Sequence, residues 1–259
     1  MLSRDVRAVT GFIVGLWVLA LIIASAAVVG TVGVLPFVVL PRGRRERRAM
    51  RGARAWAWTA LKILRCRVQR HGTMDLPDDQ GALIFANHRS WLDPILLMHE
   101  TRSNGLSKSE IFWLPVIGVY GWISGAVFFN RRSKEQRTRA REEVIWLAER
   151  GHRLQVFPEG TRNRGPVSRE RVYLRLAMDA YTHGIPVVPC CIVNSERILP
   201  PDELGAFPGH EVQLHILPAL WPKDFDNPRE FGDAAWSAVV QRWTEATECP
   251  ERESNPHAP

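Results

Sequence analysis

His88 and Asp93 stand five positions apart in Asn87-His88-Arg89-Ser90-Trp91-Leu92-Asp93, directly after the short apolar run Ala82 to Ala86. Histidine changes charge near neutral pH and serves as a general base. A carboxylate on its second ring nitrogen fixes the tautomer and stabilises the imidazolium that forms on proton transfer. Asp93 can fold back across the turn to do this. The same two residues also fit a turn histidine and an aspartate at a helix N-terminus, where a negative charge is favoured.

A second group is Phe157-Pro158-Glu159-Gly160-Thr161-Arg162, again after an apolar run, Arg153 to Phe157. Gly160 permits a tight turn and close approach of a ligand to the backbone. Backbone N–H groups in such a turn receive anions, and Arg162 offers a planar fork to phosphate. A polar turn with a solvated arginine is the plainer reading of the same residues.

Both groups need strand ends to hold them. Ala82 to Ala86 reads as a buried strand, and Gly125 to Asn130, Arg153 to Phe157, Ile185 to Val193 and Glu211 to Leu217 as further strands. Helices are expected over Asp93 to His99, where Pro94 suits a first turn, over Ser133 to Arg150 with Gly151 as its stop, over Arg171 to His183 and over Arg229 to Ala246. Alternating strands and helices predict an α/β fold, a mixed sheet flanked by helices. Pro186 and Pro189 argue that the Ile185 strand is an edge or irregular strand. The ends of strands opening into helices are where such folds place chemistry.

From Ala8 to Pro41 no residue is charged. That run predicts an N-terminal membrane-embedded helical segment: one spanning helix with an apolar extension, or a re-entrant hairpin. Gly30, Gly33 and Pro36 are its natural breaks. Seven arginines and one acid, Glu46, follow between Arg42 and Arg54. Basic residues beside a span favour the cytoplasmic side and attract anionic lipid; they also oppose the export that a cleaved signal peptide would need. Residues 1–41 thus read as a membrane anchor, 42–65 as a basic interfacial helix in which Trp56 and Trp58 suit a bilayer surface, 66–248 as the enzymatic domain and 249–259 as a flexible tail.

The net charge of +7 admits nucleic acid, anionic lipid or a phosphorylated substrate as partners. The apolar segment selects lipid over nucleic acid. Cys66, Cys190, Cys191 and Cys249 form no CxxC pair, which disfavours metal and disulfide frameworks. Cys190 and Cys191 read as small core residues. The remaining histidines show no pairing pattern, and a two-metal phosphoesterase would need more clustered ligands. Trp91, Trp113, Trp122 and Trp146 are expected in core or interfaces, and Leu106 to Phe129 as buried packing or a partly immersed segment.

Taken together, the two motifs resemble the glycerolipid acyltransferase family that includes 1-acyl-sn-glycerol-3-phosphate acyltransferase. Its signature is N-H-x-x-x-x-D followed further along by F-P-E-G-T-R, and here His88 and Glu159 are 71 positions apart. An intermediate block resembles Phe112, Pro115, Gly118, Gly125 and Phe129, then Asn130-Arg131 where the family usually has Asp-Arg. A fourth resembles Ile185 to Pro189. The resemblance implies that His88 deprotonates the acceptor hydroxyl with Asp93 in support. It implies that Arg131 and Arg162 bind the acceptor phosphate, and that Glu159, Gly160 and Thr161 shape the acceptor loop.

It also implies acyl transfer from acyl-CoA or acyl carrier protein, as co-substrates, to the sn-2 hydroxyl of lysophosphatidic acid, with no metal and no cofactor. The family's usual serine is replaced by Asn163, and its lysine-rich stretch by Ser168 to Leu174, where Arg169 or Arg171 can stand in for the lysine. These departures bear on the acceptor, leaving another lysophospholipid, a lyso-amino-acid lipid or a transacylase reaction as alternatives. A non-catalytic lipid-binding protein is the alternative from another class, and it has no chemical need for an intact His88/Asp93 pair.

Overall fold

The computed structural model describes residues 4–114, 116–168, 170, 172–201 and 205–248. Pro115, Arg169, Arg171, Cys249 and the expected tail at 249–259 lie outside the described residues. In chain order the elements are α1 (Arg4–Gly33), α2 (Arg44–Ile63), β1 (Arg67–His71), β2 (Ala82–Ala86), α3 (Asp93–Thr101), β3 (Ser103–Lys108), α4 (Ser109–Phe112), α5 (Ile117–Ile123) and β4 (Val127–Phe129). Then follow α6 (Lys134–Glu149), β5 (Arg153–Val156), α7 (Arg175–Thr182), β6 (Val187–Val193), β7 (Glu211–Ile216) and α8 (Pro228–Glu248).

The seven strands form one sheet in the order β1-β7-β6-β2-β5-β3-β4. All neighbours are parallel except β6 and β7, so the sheet is mixed as expected. β2 lies at its centre with all five residues buried, the pattern of a strand covered on both faces. Ala82, Ile84 and Ala86 join a core with α1, α2 and α3. Leu83 and Phe85 point the other way, into a core with α6, α7 and α8. The side-chain period of two thus builds the sandwich.

Pro189 corrects the edge-strand expectation. It sits within β6, third strand from the edge, opposite Phe85 of β2. Its carbonyl accepts Leu217 N–H at 3.0 Å, but a proline returns no N–H. The β6–β7 ladder begins only at Cys190, and the chain rejoins β6 as an isolated bridge between Val187 and Leu220. β6 is irregular because of its proline, and central.

The charge-free run folds as one continuous helix and a 3-10 turn, Leu35–Val39. Thr10–Gly33, 24 residues of mean hydropathy 2.8, is long and apolar enough to cross a membrane. Ile13, Trp17, Leu21, Val28 and Val32 are exposed on its outer side. Its inner side does structural work: Val18 and Ile22 belong to the sheet's own core. α1 and α2 meet at glycines, where a Cβ on Gly52 would lie 2.1 Å from the carbonyl oxygen of Gly33. Glu46, the lone acid of the arginine block, is buried, pairs with Arg45 at 2.6 Å and accepts the Gly43 N–H that opens α2. It caps the helix.

Trp91, Trp113 and Trp122 prove 49%, 80% and 41% exposed rather than core. In the Leu106 to Phe129 segment, Leu114 and Val119 are exposed as well, while Tyr120 packs against Gly30 of α1. The segment therefore adds apolar surface beside α1.

Candidate active site

Asn87 opens the site by extending the sheet. Its amide donates to Ile192 O and accepts from Ile192 N–H, both at 2.8 Å. Only an amide side chain can donate and accept in that way while fully buried. The β2–β6 pairing thus continues past Ala86 and fixes where the backbone of His88 leaves the sheet.

His88 Nδ1 lies 2.9 Å from Asp93 Oδ2. That same oxygen accepts the backbone N–H of Arg89 at 2.6 Å and of Ser90 at 2.7 Å. Asp93 is fully buried at the first turn of α3, so three donors and the helix N-terminus hold its charge. Gln155 of β5 pins that turn by donating to Pro94 O at 3.1 Å and Ser103 O at 2.8 Å. A carboxylate at Nδ1 requires the proton there and leaves the Nε2 lone pair as the base. Nε2 has no hydrogen-bond partner among the described residues. Phe157 stacks on the imidazole, centroids 4.1 Å apart, and fixes its plane.

The second motif sits across from the first. Gly160 has φ +68° and closes a turn by donating to Phe157 O at 3.0 Å. Asn163 N–H reaches the carbonyl of His88. Glu159 accepts the His88 N–H at 3.4 Å, and its other oxygen is buried without a partner among the described residues. Burial pushes its carboxyl up to about 7, so the group is about half protonated at neutral pH. Arg131 donates to Gly160 O. Arg162 lies over Trp91 of the first motif, its guanidinium carbon 3.6 Å from the ring centroid. Thr161 is exposed between them. The structure brings all the expected site residues to one mouth.

Beside the first motif lies an apolar cavity of about 450 Å³. Trp91 and Pro94 stand at the site end, and Leu19, Ile22, Trp56 and Tyr120 are among the walls. Most of its lining is carbon, which suits a hydrocarbon chain better than a polar group.

Residues 67–193 match the family described as Acyltransferase. Residues 67–193 belong to the acyltransferase family. Around this acyltransferase domain the chain is 28% identical over 153 residues to the 1-acyl-sn-glycerol-3-phosphate acyltransferase of Borreliella burgdorferi, covering 58% of this chain and 60% of that one. It is 30% identical over 128 residues to the Haemophilus influenzae protein of the same name, covering 44% and 50%. It is 28% identical over 159 residues to the human alpha form, covering 60% and 55%. The match thus spans 50–60% of these relatives' length. The crystal structure of the 1-acyl-sn-glycerophosphate (LPA) acyltransferase PlsC from Thermotoga maritima superposes with a TM-score of 0.75 at 22% identity, over 94% of this chain and 98% of that one. The chain shares that fold over nearly its whole length.

Sequence reasoning passed over Arg89. This buried arginine of the first motif donates to Gly165 O at 2.8 Å and Arg164 O at 3.1 Å, pairs with Glu196 at 3.1 Å and lies over Trp243. It ties the loop after β5 to the loop after β2. The hydrogen-bond partners of its side chain lie 75 to 107 positions away in sequence, and no local pattern announces them.

Proposed function

We propose that the protein transfers an acyl group from a thioester donor, acyl-CoA or acyl carrier protein, to the sn-2 hydroxyl of lysophosphatidic acid, giving phosphatidic acid. The observation that carries the reading is the His88–Asp93 pair at 2.9 Å, whose Nε2 has no partner among the described residues, beside an apolar cavity that Trp91 and Pro94 of the same turn help to line. His88 Nε2 takes the hydroxyl proton as the oxygen attacks the thioester carbonyl. The C–S bond then breaks, and the imidazolium returns the proton to the departing thiolate. The products are an ester and a free thiol. Asp93 stabilises the imidazolium in between. A thioester is already activated, so no acyl-enzyme intermediate is required.

Arg131 and Arg162 receive the acceptor phosphate, which accounts for two cations beside the Gly160 turn. Gly160 and Thr161 present backbone to the acceptor. Glu159 orients this loop through the His88 N–H and moves no proton. The apolar cavity takes an acyl chain. α1 enters the bilayer, and the arginines of α2 set the enzymatic domain on the cytoplasmic side among anionic lipids.

The test is thiol release by the full chain in detergent, with palmitoyl-CoA and a panel of lysolipids, beside His88→Ala. Release that needs both lysophosphatidic acid and His88 supports the reading. Turnover only with another lysolipid moves the acceptor. Release that persists in His88→Ala removes the mechanism. Silence with every acceptor, and with an acyl carrier protein donor as well, removes the enzyme.

A further inference from the structure

A second cavity, about 820 Å³, opens at the opposite end of the strands from His88, where β5 begins and α2 passes over. Five arginines line it: Arg47, Arg51 and Arg54 of α2, Arg102 just after α3, and Arg153 of β5. The acids in its wall are Asp78 and Asp79, and Arg102 takes Asp78 at 2.6 Å. Two aspartates against five arginines leave three positive charges uncompensated.

Arg153 is the most telling. It is only 7% exposed. Its guanidinium donates to the carbonyls of Thr101, Leu76 and Pro77, while Nε is buried with no partner. No ion pair among the described residues gives it a carboxylate. A buried cation hydrogen-bonded only to neutral carbonyls, with the nearby Asp78 already paired to Arg102, is costly unless a further counter-charge arrives. Arg51, exposed at the rim, likewise makes no hydrogen bond or ion pair among the described residues. The cavity is thus a basic cleft whose charges call for an anion.

The rim identifies the source of that anion. Arg47, Arg51, Arg54 and Trp58 follow one another at helical spacings of three and four along one face of α2. Trp58 is 51% exposed at the edge of the cavity, with Lys62 over its ring. A tryptophan beside cations, on a helix packed against an apolar one, is the arrangement found at head-group level of a bilayer. We propose that this cavity is a head-group site for an anionic membrane phospholipid, separate from the acceptor site at His88. The phosphate lies among Arg51, Arg102 and Arg153, and the glycerol leaves past Trp58.

Asn104 and Ser124 line this cavity and the apolar one alike. Asn104 donates to Ser124 at 2.9 Å, and the pair forms the wall between them. The inference rests on the membrane placement of α1 proposed above but not on acyl transfer, and its test reads binding rather than turnover.

The experiment is native mass spectrometry of the full chain in detergent, titrated with dioctanoyl-phosphatidylglycerol, dioctanoyl-phosphatidylcholine or inorganic phosphate. The protein and Arg162→Ala are expected to bind phosphatidylglycerol about tenfold or more tightly than phosphatidylcholine. The double variant Arg51→Gln/Arg102→Gln is expected to lose that preference. Arg51→Gln alone, which breaks no contact of the fold, is expected to weaken it about threefold. Three results would overturn the proposal. Phosphatidylglycerol affinity unchanged in the double variant empties the site. Equal loss in Arg162→Ala moves the lipid to the acceptor site. Binding of inorganic phosphate as tight as that of phosphatidylglycerol makes it a free-phosphate site.

Discussion

The backbone N–H of Asn163 donates to the carbonyl oxygen of His88 at 2.8 Å, so the loop that follows β5 hangs from the residue that follows β2. The two motifs are one object. A change in either is felt by the other through the main chain.

Asp93→Asn separates charge from geometry. The amide oxygen can take the place of Oδ2 and keep the bonds from His88, Arg89 and Ser90, and its NH2 group then occupies the position of the unpartnered Oδ1. Turnover should fall by roughly 10²–10⁴ for want of a counter-charge to the imidazolium, with little loss of stability. Asp93→Ala should lose both, since three donors are orphaned in a buried place. Thiol release beside thermal unfolding checks the contrast; equal unfolding temperatures for the two variants would refute it.

Arg89→Gln should raise the acceptor KM more than the thioester KM, because Arg89 holds the loop carrying Arg162. It should also cost about 2–3 kcal/mol of stability for the polar groups left unpaired. Arg89→Lys should restore part of the acceptor KM. A donor-only defect would place Arg89 elsewhere in the mechanism.

Glu159 makes stability depend on pH. Its folded carboxyl sits at about 7 against an ordinary 4.5, so the folded state holds the proton longer than the unfolded chain does. Stability then falls as pH rises from about 4.5 to about 7. Glu159→Gln should remove this slope, a difference of about 1–3 kcal/mol between pH 5 and pH 7.5 after allowance for partial exposure. Denaturant unfolding at both pH values measures it, and parallel curves for the two proteins would contradict the assignment.

Gly52→Ala should loosen the crossing of α1 and α2. Its Cβ would meet backbone, the carbonyl of Gly33, rather than a side chain that can turn away. The expected cost is about 1–3 kcal/mol, read as a lower unfolding temperature in detergent. No change would mean that the two helices slide past each other freely.

Much of this was legible in the residues, for identifiable reasons. β2, β5 and α6 carry apolar periods, and the site motifs have fixed spacing. β1 was not legible: Arg-Val-Gln-Arg-His is a polar edge strand whose pairing to β7 is its main support. β3, Ser-Asn-Gly-Leu-Ser-Lys, lacks an apolar face, and its buried Ser103 and Asn104 find partners only in three dimensions, at Thr101 and Ser124. Pro189 misled because a rule about edges met a strand whose neighbour simply begins one residue later. Arg89 stayed hidden for the same long-range reason as β3.

α1 faces two ways at once. Val18 and Ile22 close the core over the sheet, Leu16, Leu19 and Ile22 wall the apolar cavity, and Trp17, Leu21 and Val28 face outward. A soluble version cannot be had by trimming: deleting α1 would unroof the cavity and bare the sheet beneath it. The greasiest part of this protein, apolar enough to cross a membrane, is also a structural beam of its fold.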